Sequence, residues 1–146
     1  YDRTGSRSPM QWDKTLNAGF SLASPEKLYI KQDESDDRPD AESQIADENS
    51  LYNEIRKLIS IRRSHSALGN NSEIEFIYAE KNEYPLAFIR SSEDEKILVI
   101  INPADREVSF PCEYKPKEAV YSFGREIAYE DKKITVPPCS AGFYRV

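Results

Sequence analysis

The second half of the chain alternates between apolar and polar positions with the two-residue period of β-strands. The segment 73–78 places charged and apolar residues in turn, which is typical of a strand that faces a core on one side. The segment 96–102 is almost continuously apolar, as expected for a central strand buried on both faces. Further strands are predicted at 85–90, 108–110, 119–123, 133–136 and 142–146. Short strands separated by turn residues predict an antiparallel β-sandwich.

A helical period replaces this alternation earlier in the chain and predicts one helix over 47–66. One face of that helix would carry Leu51, Ile55, Leu58, Ile59 and Arg62. Acidic and polar residues precede the first turn and basic residues fill the last turns, as the helix dipole prefers. His65 stands in the last turn, where a packing or capping role is favoured over general base catalysis.

Residues 1–46 have no sustained period and are predicted to be irregular, because glycine and proline recur through them. The acidic run from Asp33 to Asp40 raises the alternative of a calcium loop. Arg38 stands where such a loop requires glycine, and Gln44 where it requires glutamate. A solvated surface loop is therefore the preferred interpretation.

Charge and composition exclude several classes of function. The 146 residues carry a net charge of −6 and are 38% hydrophobic and 11% aromatic, which fits a folded domain and not a disordered segment. No basic cluster suits nucleic acid, and no apolar run suits a membrane span. The first residue is Tyr1 and the single methionine is Met10, so we expect the chain to be a segment of a longer protein.

The two cysteines, Cys112 and Cys139, do not form a zinc motif, because such a site needs about four ligands. Two half-buried thiols are favoured over a disulfide. No cofactor and no metal are expected. The cytoplasm is favoured as the compartment, although a start signal would lie outside this segment.

Two short strings near the start carry a specific resemblance. The first is RSPMQWD at 7–13, and the second is NAGFS at 17–21. Together they resemble the loop after the seventh strand of α-amylase-family barrels, in the branch of oligo-1,6-glucosidases, α-glucosidases and trehalose synthases. The helix string at 58–68 is similar to the last barrel helix of that branch, which usually has proline where this chain has Ser66. The strings at 98–103 and 136–142 resemble its C-terminal β-sandwich.

This resemblance implies a domain organisation. Residues 1–68 would be the terminal part of a catalytic (β/α)₈ barrel, formed by a loop and the last helix. Residues 69–146 would be the C-terminal β-sandwich, so that the fold class is mainly β. The helix would lack the rest of its barrel, and we expect its apolar stripe to be buried against the sandwich. Pairing of two copies into a homodimer is the alternative.

The resemblance also implies where the chemistry lies. Retaining hydrolysis of a glycosidic bond uses two carboxyl groups about 5 Å apart. In the family the nucleophile, the acid and a stabilising aspartate stand on barrel strands that would precede Tyr1, so no catalytic residue is expected here. Arg3 and Arg7 match the arginines that line the family's sugar pocket, and a planar guanidinium suits sugar hydroxyls. The alternative is that both arginines only tie the loop to Asp2 or Asp13.

The sequence therefore leaves two alternative functions. In the first, the chain is a non-catalytic portion of a retaining enzyme that cleaves or transfers α-linked glucose oligosaccharides, and its partner is the missing upstream barrel. In the second, it is a free-standing carbohydrate-binding or interaction module. Such a module needs exposed aromatic residues, and the candidates are Tyr78, Tyr84, Phe88, Tyr114, Tyr121, Phe123, Tyr129 and Tyr144. Most of these positions fit a sandwich core equally well.

Overall fold

The computed structural model describes residues 7–146 and is mainly β, as the sequence predicts. Arg3 lies outside the described residues. The described strands are β1 (Glu73–Tyr78), β2 (Leu86–Ser91), β3 (Lys96–Asn102), β4 (Val108–Pro111), β5 (Ala119–Phe123), β6 (Ala128–Glu130), β7 (Lys133–Val136) and β8 (Ser140–Arg145). The α-helices are α1 (Ala41–Ala46) and α2 (Leu51–Ser64), and short 3₁₀ turns occupy Leu16–Gly19, Pro25–Lys27 and Ser66–Leu68. The chain divides into two compact units, Tyr1–Leu58 and Ile59–Val146.

The loop of the first unit is held by a run of left-handed residues. Asn17, Ala18 and Gly19 have φ angles of 52°, 53° and 69°. The buried Asn17 amide donates hydrogen bonds to the carbonyl oxygens of Ser21 and Ala23 at 2.8 and 2.7 Å. The φ of Gly19 favours glycine, and a Cβ atom there would lie 2.6 Å from Oδ2 of Asp13, so the Asp13 side chain would also have to move.

The acidic run ends in a helix cap. Its residues are largely exposed, as predicted, but Asp40 is buried. The Asp40 carboxylate accepts hydrogen bonds from the backbone N and the Oγ of Ser43, each at 2.8 Å, and so caps α1. The backbone N of Ala41 donates to the Gln11 carbonyl at 3.0 Å, which joins the RSPMQWD segment to this short helix. The sequence does not predict α1, because its six residues are too few to show a period.

The predicted long helix begins later and stays exposed. It runs from Leu51 to Ser64, and none of its residues is buried. Leu51, Ile55 and Ile59 are exposed by 71%, 47% and 47%. The prediction that this apolar stripe is buried is therefore wrong. A stripe predicts that a helix has a partner surface, but it does not establish that this surface belongs to the same chain.

The second unit contains two antiparallel sheets. The larger sheet has the strand order β1-β2-β3-β8-β5 and the smaller has β4-β7-β6. Their main core contains Ile89, Leu98, Ile100, Phe110 and Ile134. The central β3 is apolar on both faces, as its sequence predicts: Leu98 and Ile100 belong to this core, and Ile97 and Val99 to a second cluster. The sequence does not predict β6, which has three residues at a sheet edge.

One buried amide fastens the end of β3 to the loop that follows β7. Asn102 is 1% exposed, and its Nδ2 atom donates to the carbonyl oxygens of Arg106 at 3.0 Å and Pro137 at 2.8 Å. Its Oδ1 atom accepts a hydrogen bond from the backbone N of Ala104 at 3.1 Å. This network satisfies a polar group that would otherwise be costly to bury.

Candidate functional site

Arg7, one of the two predicted substrate arginines, lies at the start of the described loop and is exposed. Asp13, its predicted alternative partner, is engaged by Thr15 instead. The backbone N and Oγ1 of Thr15 lie 2.8 and 2.5 Å from Oδ1 of Asp13. Among residues 7–146, no hydrogen bond or ion pair involves Arg7.

A groove of about 850 Å³ lies beside this loop, within the first unit. Its apolar lining includes Pro9, Met10, Trp12, Ile45 and Tyr52. The rings of Trp12 and Tyr52 are exposed by 52% and 45%. Such a surface suits an apolar partner better than a charged ligand.

One polar atom in this groove lacks a partner. Oε1 of Gln11 is buried, and no described residue donates a hydrogen bond to it. The sequence gives no signal for it, because burial of a single side-chain atom depends on the tertiary structure. Buried polar atoms in folded proteins normally have a hydrogen-bond partner. Within the described part of the chain, the groove therefore lacks a donor for Gln11.

The aspartates with shifted pKa values have structural roles. Hydrogen bonds from the backbone N and then the Oγ of Ser43 lower the pKa of Asp40. Those from the Oγ and then the backbone N of Ser35 lower the pKa of Asp33. A general acid in glycoside hydrolysis needs a raised pKa. Neither aspartate is suited to that role.

The side chain of His65 is tied to a carboxylate. Its Nδ1 atom donates to Oε1 of Glu95 at 2.7 Å, and both side chains are largely buried, with exposures of 15% and 14%. The backbone N of Ala67 donates to Oε2 of Glu95 at 3.2 Å, and Nε of Arg145 lies 3.5 Å from Oε1. These contacts give His65 a packing role, which its sequence position favours.

Glu95 itself cannot be singled out from the sequence, because its neighbours in the chain are charged turn residues. Burial opposes ionisation of this carboxyl. The hydrogen bonds from His65 and Ala67 and the charges of His65 and Arg145 outweigh that effect, and they lower the pKa of Glu95. Only the fold brings the three partners to this position, and Glu95 therefore fastens the segment after α2 to the sheet.

The aromatic candidates for a sugar-binding surface are mostly packing residues. Tyr84 and Phe123 are exposed by 44% and 54%. The other six, Tyr78, Phe88, Tyr114, Tyr121, Tyr129 and Tyr144, are buried or partly buried. The described sandwich therefore presents no continuous row of exposed rings built from these eight residues.

Both cysteines are free thiols, so the preference for thiols over a disulfide is confirmed. The expectation of half-burial is wrong for each. Cys112 follows β4 and is buried in the main core, where burial raises the pKa of its thiol. Cys139 lies on the turn before β8 and is exposed.

Residues 7–146 offer neither a metal centre nor a membrane helix. No group of three or more histidine, cysteine, aspartate or glutamate side chains there could hold a metal ion. None of the helices formed by these residues is long and apolar enough to cross a membrane.

The described residues therefore define a class of protein domain. A loop-and-helix segment presents an open apolar groove, and an antiparallel sandwich follows it. The carboxylates with lowered pKa values in both parts cap turns or fasten loops. This combination indicates a β-sandwich domain preceded by a loop-and-helix segment.

Comparison with protein families identifies both parts. Residues 1–71 match the α-amylase catalytic domain, and residues 74–142 match the C-terminal domain of maltogenic amylase. The chain belongs to the α-amylase family of glycoside hydrolases, as its motifs led us to expect.

Individual relatives agree with this assignment. The oligo-1,6-glucosidase of Parageobacillus thermoglucosidasius is 28% identical over 99% of this chain and 26% of its own length. The trehalose-6-phosphate hydrolase of Bacillus subtilis is 32% identical over 74% of this chain and 18% of its own. Among solved structures, the trehalulose synthase MutB of Pseudomonas mesoacidophila MX-45 is 27% identical to this chain. The match covers 98% of this chain and 26% of the MutB chain, with a TM-score of 0.80. The chain thus spans about a quarter or less of the length of these relatives.

Proposed function

We propose that this chain is the non-catalytic C-terminal portion of a retaining glycoside hydrolase that cleaves or transfers α-linked glucose oligosaccharides. The observation that carries the proposal is the family match of residues 1–71 to a catalytic domain, in a chain that covers 26% of an oligo-1,6-glucosidase. The oligo-1,6-glucosidase named above acts on glucosidic bonds by its name, and about three-quarters of its length lies outside the match, which leaves room for an upstream catalytic barrel.

The domain boundary proposed is the one that the sequence suggested, with 1–68 as the end of the barrel and 69–146 as the sandwich. The matches to the two family models support it, because one ends at residue 71 and the other begins at residue 74. The role of the sandwich is then to complete and stabilise the enzyme, and chemistry belongs to the barrel.

Glucose release from isomaltose and maltose tests the proposal directly. The purified chain should release none above buffer at high concentration, and the longer protein that contains it should release glucose from at least one of the two. Release by the chain that persists after repurification would place catalytic carboxylates within these 146 residues and overturn the proposal. Oligosaccharide binding by 69–146 alone would favour a carbohydrate-binding module instead.

Arg7, together with Arg3, is proposed to contact substrate in the complete enzyme. Arg7 is exposed and has no ion-pair partner among residues 7–146, which is consistent with a guanidinium held ready for sugar hydroxyls. In the longer protein, Arg7→Lys should reduce kcat/KM by about tenfold or more, because the fixed fork of donors is lost. Lys14→Arg, a change on the same loop, serves as the control and should leave kcat/KM unchanged.

In isolation the chain is proposed to form a homodimer through α2. Leu51, Ile55 and Ile59 form an exposed apolar stripe that water disfavours. Sedimentation equilibrium should show concentration-dependent pairing that Ile55→Gln weakens. A strictly monomeric chain at all concentrations would contradict this part of the proposal.

A further inference from the structure

The loop after the RSPMQWD segment contains three consecutive residues in the left-handed conformation. They are Asn17, Ala18 and Gly19, with φ angles of 52°, 53° and 69°. Glycine adopts such a φ freely and asparagine tolerates it, but the Cβ atom of alanine makes it unfavourable. Residues in this region of φ and ψ persist only where their surroundings hold them, and they are frequent at functional sites. We call these three residues the left-handed turn.

The carbonyl oxygen of Ala18 joins the left-handed turn to the RSPMQWD segment. It accepts hydrogen bonds from the backbone N atoms of Trp12 at 2.9 Å and Asp13 at 3.3 Å. The direction of a carbonyl group follows from φ and ψ, because these are the only soft dihedral angles of the backbone. The left-handed conformation of Ala18 therefore places this acceptor against its two donors.

A buried amide holds the left-handed turn in place. Asn17 is 8% exposed, and its Nδ2 atom donates hydrogen bonds to the carbonyl oxygens of Ser21 and Ala23 at 2.8 and 2.7 Å. The carbonyl oxygen of Asn17 accepts hydrogen bonds from the backbone N of Phe20 at 3.0 Å and from Nε2 of Gln32 at 2.9 Å. Asn17 is thus fixed through its side chain and through its backbone.

The short helix α1 holds the same segment through its carbonyl groups. The backbone N atoms of Ala41 and Glu42 donate to the carbonyl oxygens of Gln11 at 3.0 Å and Trp12 at 2.9 Å. The backbone at 11–13 is therefore hydrogen-bonded to the left-handed turn by its N–H groups and to α1 by its carbonyl groups. All of these contacts lie within the first unit.

Arg7 lies a short way before this fixed stretch of backbone. Ser8, Pro9 and Met10 are the residues between Arg7 and Gln11. Pro9 is buried, and its ring restricts its own φ. The place of the Arg7 backbone therefore depends on where the stretch that begins at Gln11 is held.

We propose that Asn17 is a positioning residue of the complete enzyme, which acts through the left-handed turn to hold Arg7 at the sugar. This inference rests on the proposed function, in which Arg7 contacts the substrate. The amide of Asn17 donates to carbonyl oxygens of its own loop, so its effect passes through another residue. Ala18 adds stiffness, because alanine has fewer accessible backbone conformations than glycine. A guanidinium that is already in place loses little freedom when the sugar binds.

Steady-state kinetics of the longer protein test the positioning role, with isomaltose or maltose as the substrate, whichever releases glucose. Asn17→Ala should raise KM by about tenfold or more, because a small displacement of a substrate-binding group is costly. The value of kcat should change by less than about twofold, as expected for a contact made equally in the ground state and the transition state.

Asn53→Ala is the matched control. Asn53 belongs to the same unit, and its Nδ2 atom likewise donates to carbonyl oxygens, those of Ile45 at 3.1 Å and Asp47 at 2.9 Å. Its removal should lower the unfolding temperature and leave KM unchanged. An equal rise of KM in Asn53→Ala and Asn17→Ala would show a general effect of destabilisation and would overturn the proposal.

A double-mutant cycle with Arg7→Lys shows whether Asn17 acts through Arg7. In the Arg7→Lys protein, Asn17→Ala should reduce kcat/KM little further, because the group that it positions is already altered. Additive effects of the two changes on kcat/KM would contradict the positioning role.

Ala18→Gly provides a second test that does not remove a hydrogen bond. Glycine relieves the unfavourable left-handed conformation but makes the backbone freer, so the unfolding temperature should change little. KM should nevertheless rise by about threefold or more, because Arg7 is held less firmly. An unchanged KM in Ala18→Gly would overturn the proposal, even if Asn17→Ala fails to fold.

The proposed function and the positioning role fail in different ways. A longer protein that releases no glucose contradicts the proposed function, and the positioning role falls with it. A longer protein that is active and loses kcat/KM in Arg7→Lys, but keeps its KM in Asn17→Ala and in Ala18→Gly, contradicts only the positioning role.

Discussion

The Nδ1 atom of His65 lies 2.7 Å from Oε1 of Glu95, and this contact joins the segment after α2 to the turn before β3. Glu95 also accepts a hydrogen bond from the backbone N of Ala67, so one carboxylate fixes two points of the incoming segment. His65 and Glu95 lie 30 residues apart in the sequence. Because this contact involves an ionisable carboxyl group, the stability of the junction depends on pH.

Glu95→Gln should destabilise the second unit at pH 7 by about 2 kcal/mol, the range for hydrogen bonds to a charged group. The folded pKa of Glu95 is lowered from 4.5. A lowered carboxyl pKa contributes stability above the unfolded pKa and loses it as pH falls through the folded pKa. The difference between wild type and Glu95→Gln should therefore be full near neutrality and should shrink below about pH 4.5.

Urea unfolding followed by near-ultraviolet circular dichroism at several pH values measures this difference. Glu93→Gln, an exposed neighbour in the same turn, is the matched control and should change little at any pH. A pH-independent effect of Glu95→Gln would show that packing, and not charge, gives Glu95 its role.

Phe110 should be among the most costly side chains to truncate. It is 1% exposed, lies in the main core, and its ring centroid is 5.5 Å from that of Tyr78. Phe110→Ala should lower the free energy of unfolding by about 3–5 kcal/mol. Phe76→Ala in the same chain removes an equal side chain that is 60% exposed, so it should cost much less. Similar costs for the two would contradict the assignment of the core.

Asn102→Ala should destabilise the sandwich by about 2–3 kcal/mol, because it removes the hydrogen bonds by which a buried amide joins two loops and leaves a space in its place. The carbonyl oxygens that lose this donor are those of Arg106 and Pro137, and the second keeps the hydroxyl of Ser140. Thermal unfolding measures the change, and Asn71→Ala at an exposed position is the control. If Asn102→Ala unfolded at the wild-type temperature, the amide network would have no stabilising role.

Gly19→Ala should disrupt the loop of the first unit. The residue has a φ of +69°, and a Cβ atom would lie 2.6 Å from Oδ2 of Asp13, so we expect a cost above about 1 kcal/mol. The backbone N of Trp12 donates to the Ala18 carbonyl at 2.9 Å, which makes the fluorescence of this single tryptophan a local probe. Leu22→Ala, at a side chain that is 96% exposed, should leave that fluorescence unchanged.

The alternating strands and the family motifs are visible in the amino-acid sequence alone. The doubly apolar run of β3 follows from burial on both faces. The period of two in 73–78 predicts the strand but not its burial, because Ile74 and Phe76 are exposed by 51% and 60%. The string NAGFS also contains a structural signal, because asparagine and glycine tolerate the left-handed conformation that Asn17 and Gly19 adopt. The short β6 and α1 have too few residues to show a period.

Local sequence is enough to establish the mainly β class, the position of the helix and the family, because periodicity and short motifs are properties of neighbouring residues. The choice of partner for each surface belongs to the tertiary structure. The fold pairs His65 with Glu95, buries Cys112 while exposing Cys139, and leaves the stripe of α2 and the edge residues Phe76 and Phe123 of the larger sheet exposed. These outcomes depend on contacts between distant segments, and no local pattern encodes which distant surface an apolar face will meet.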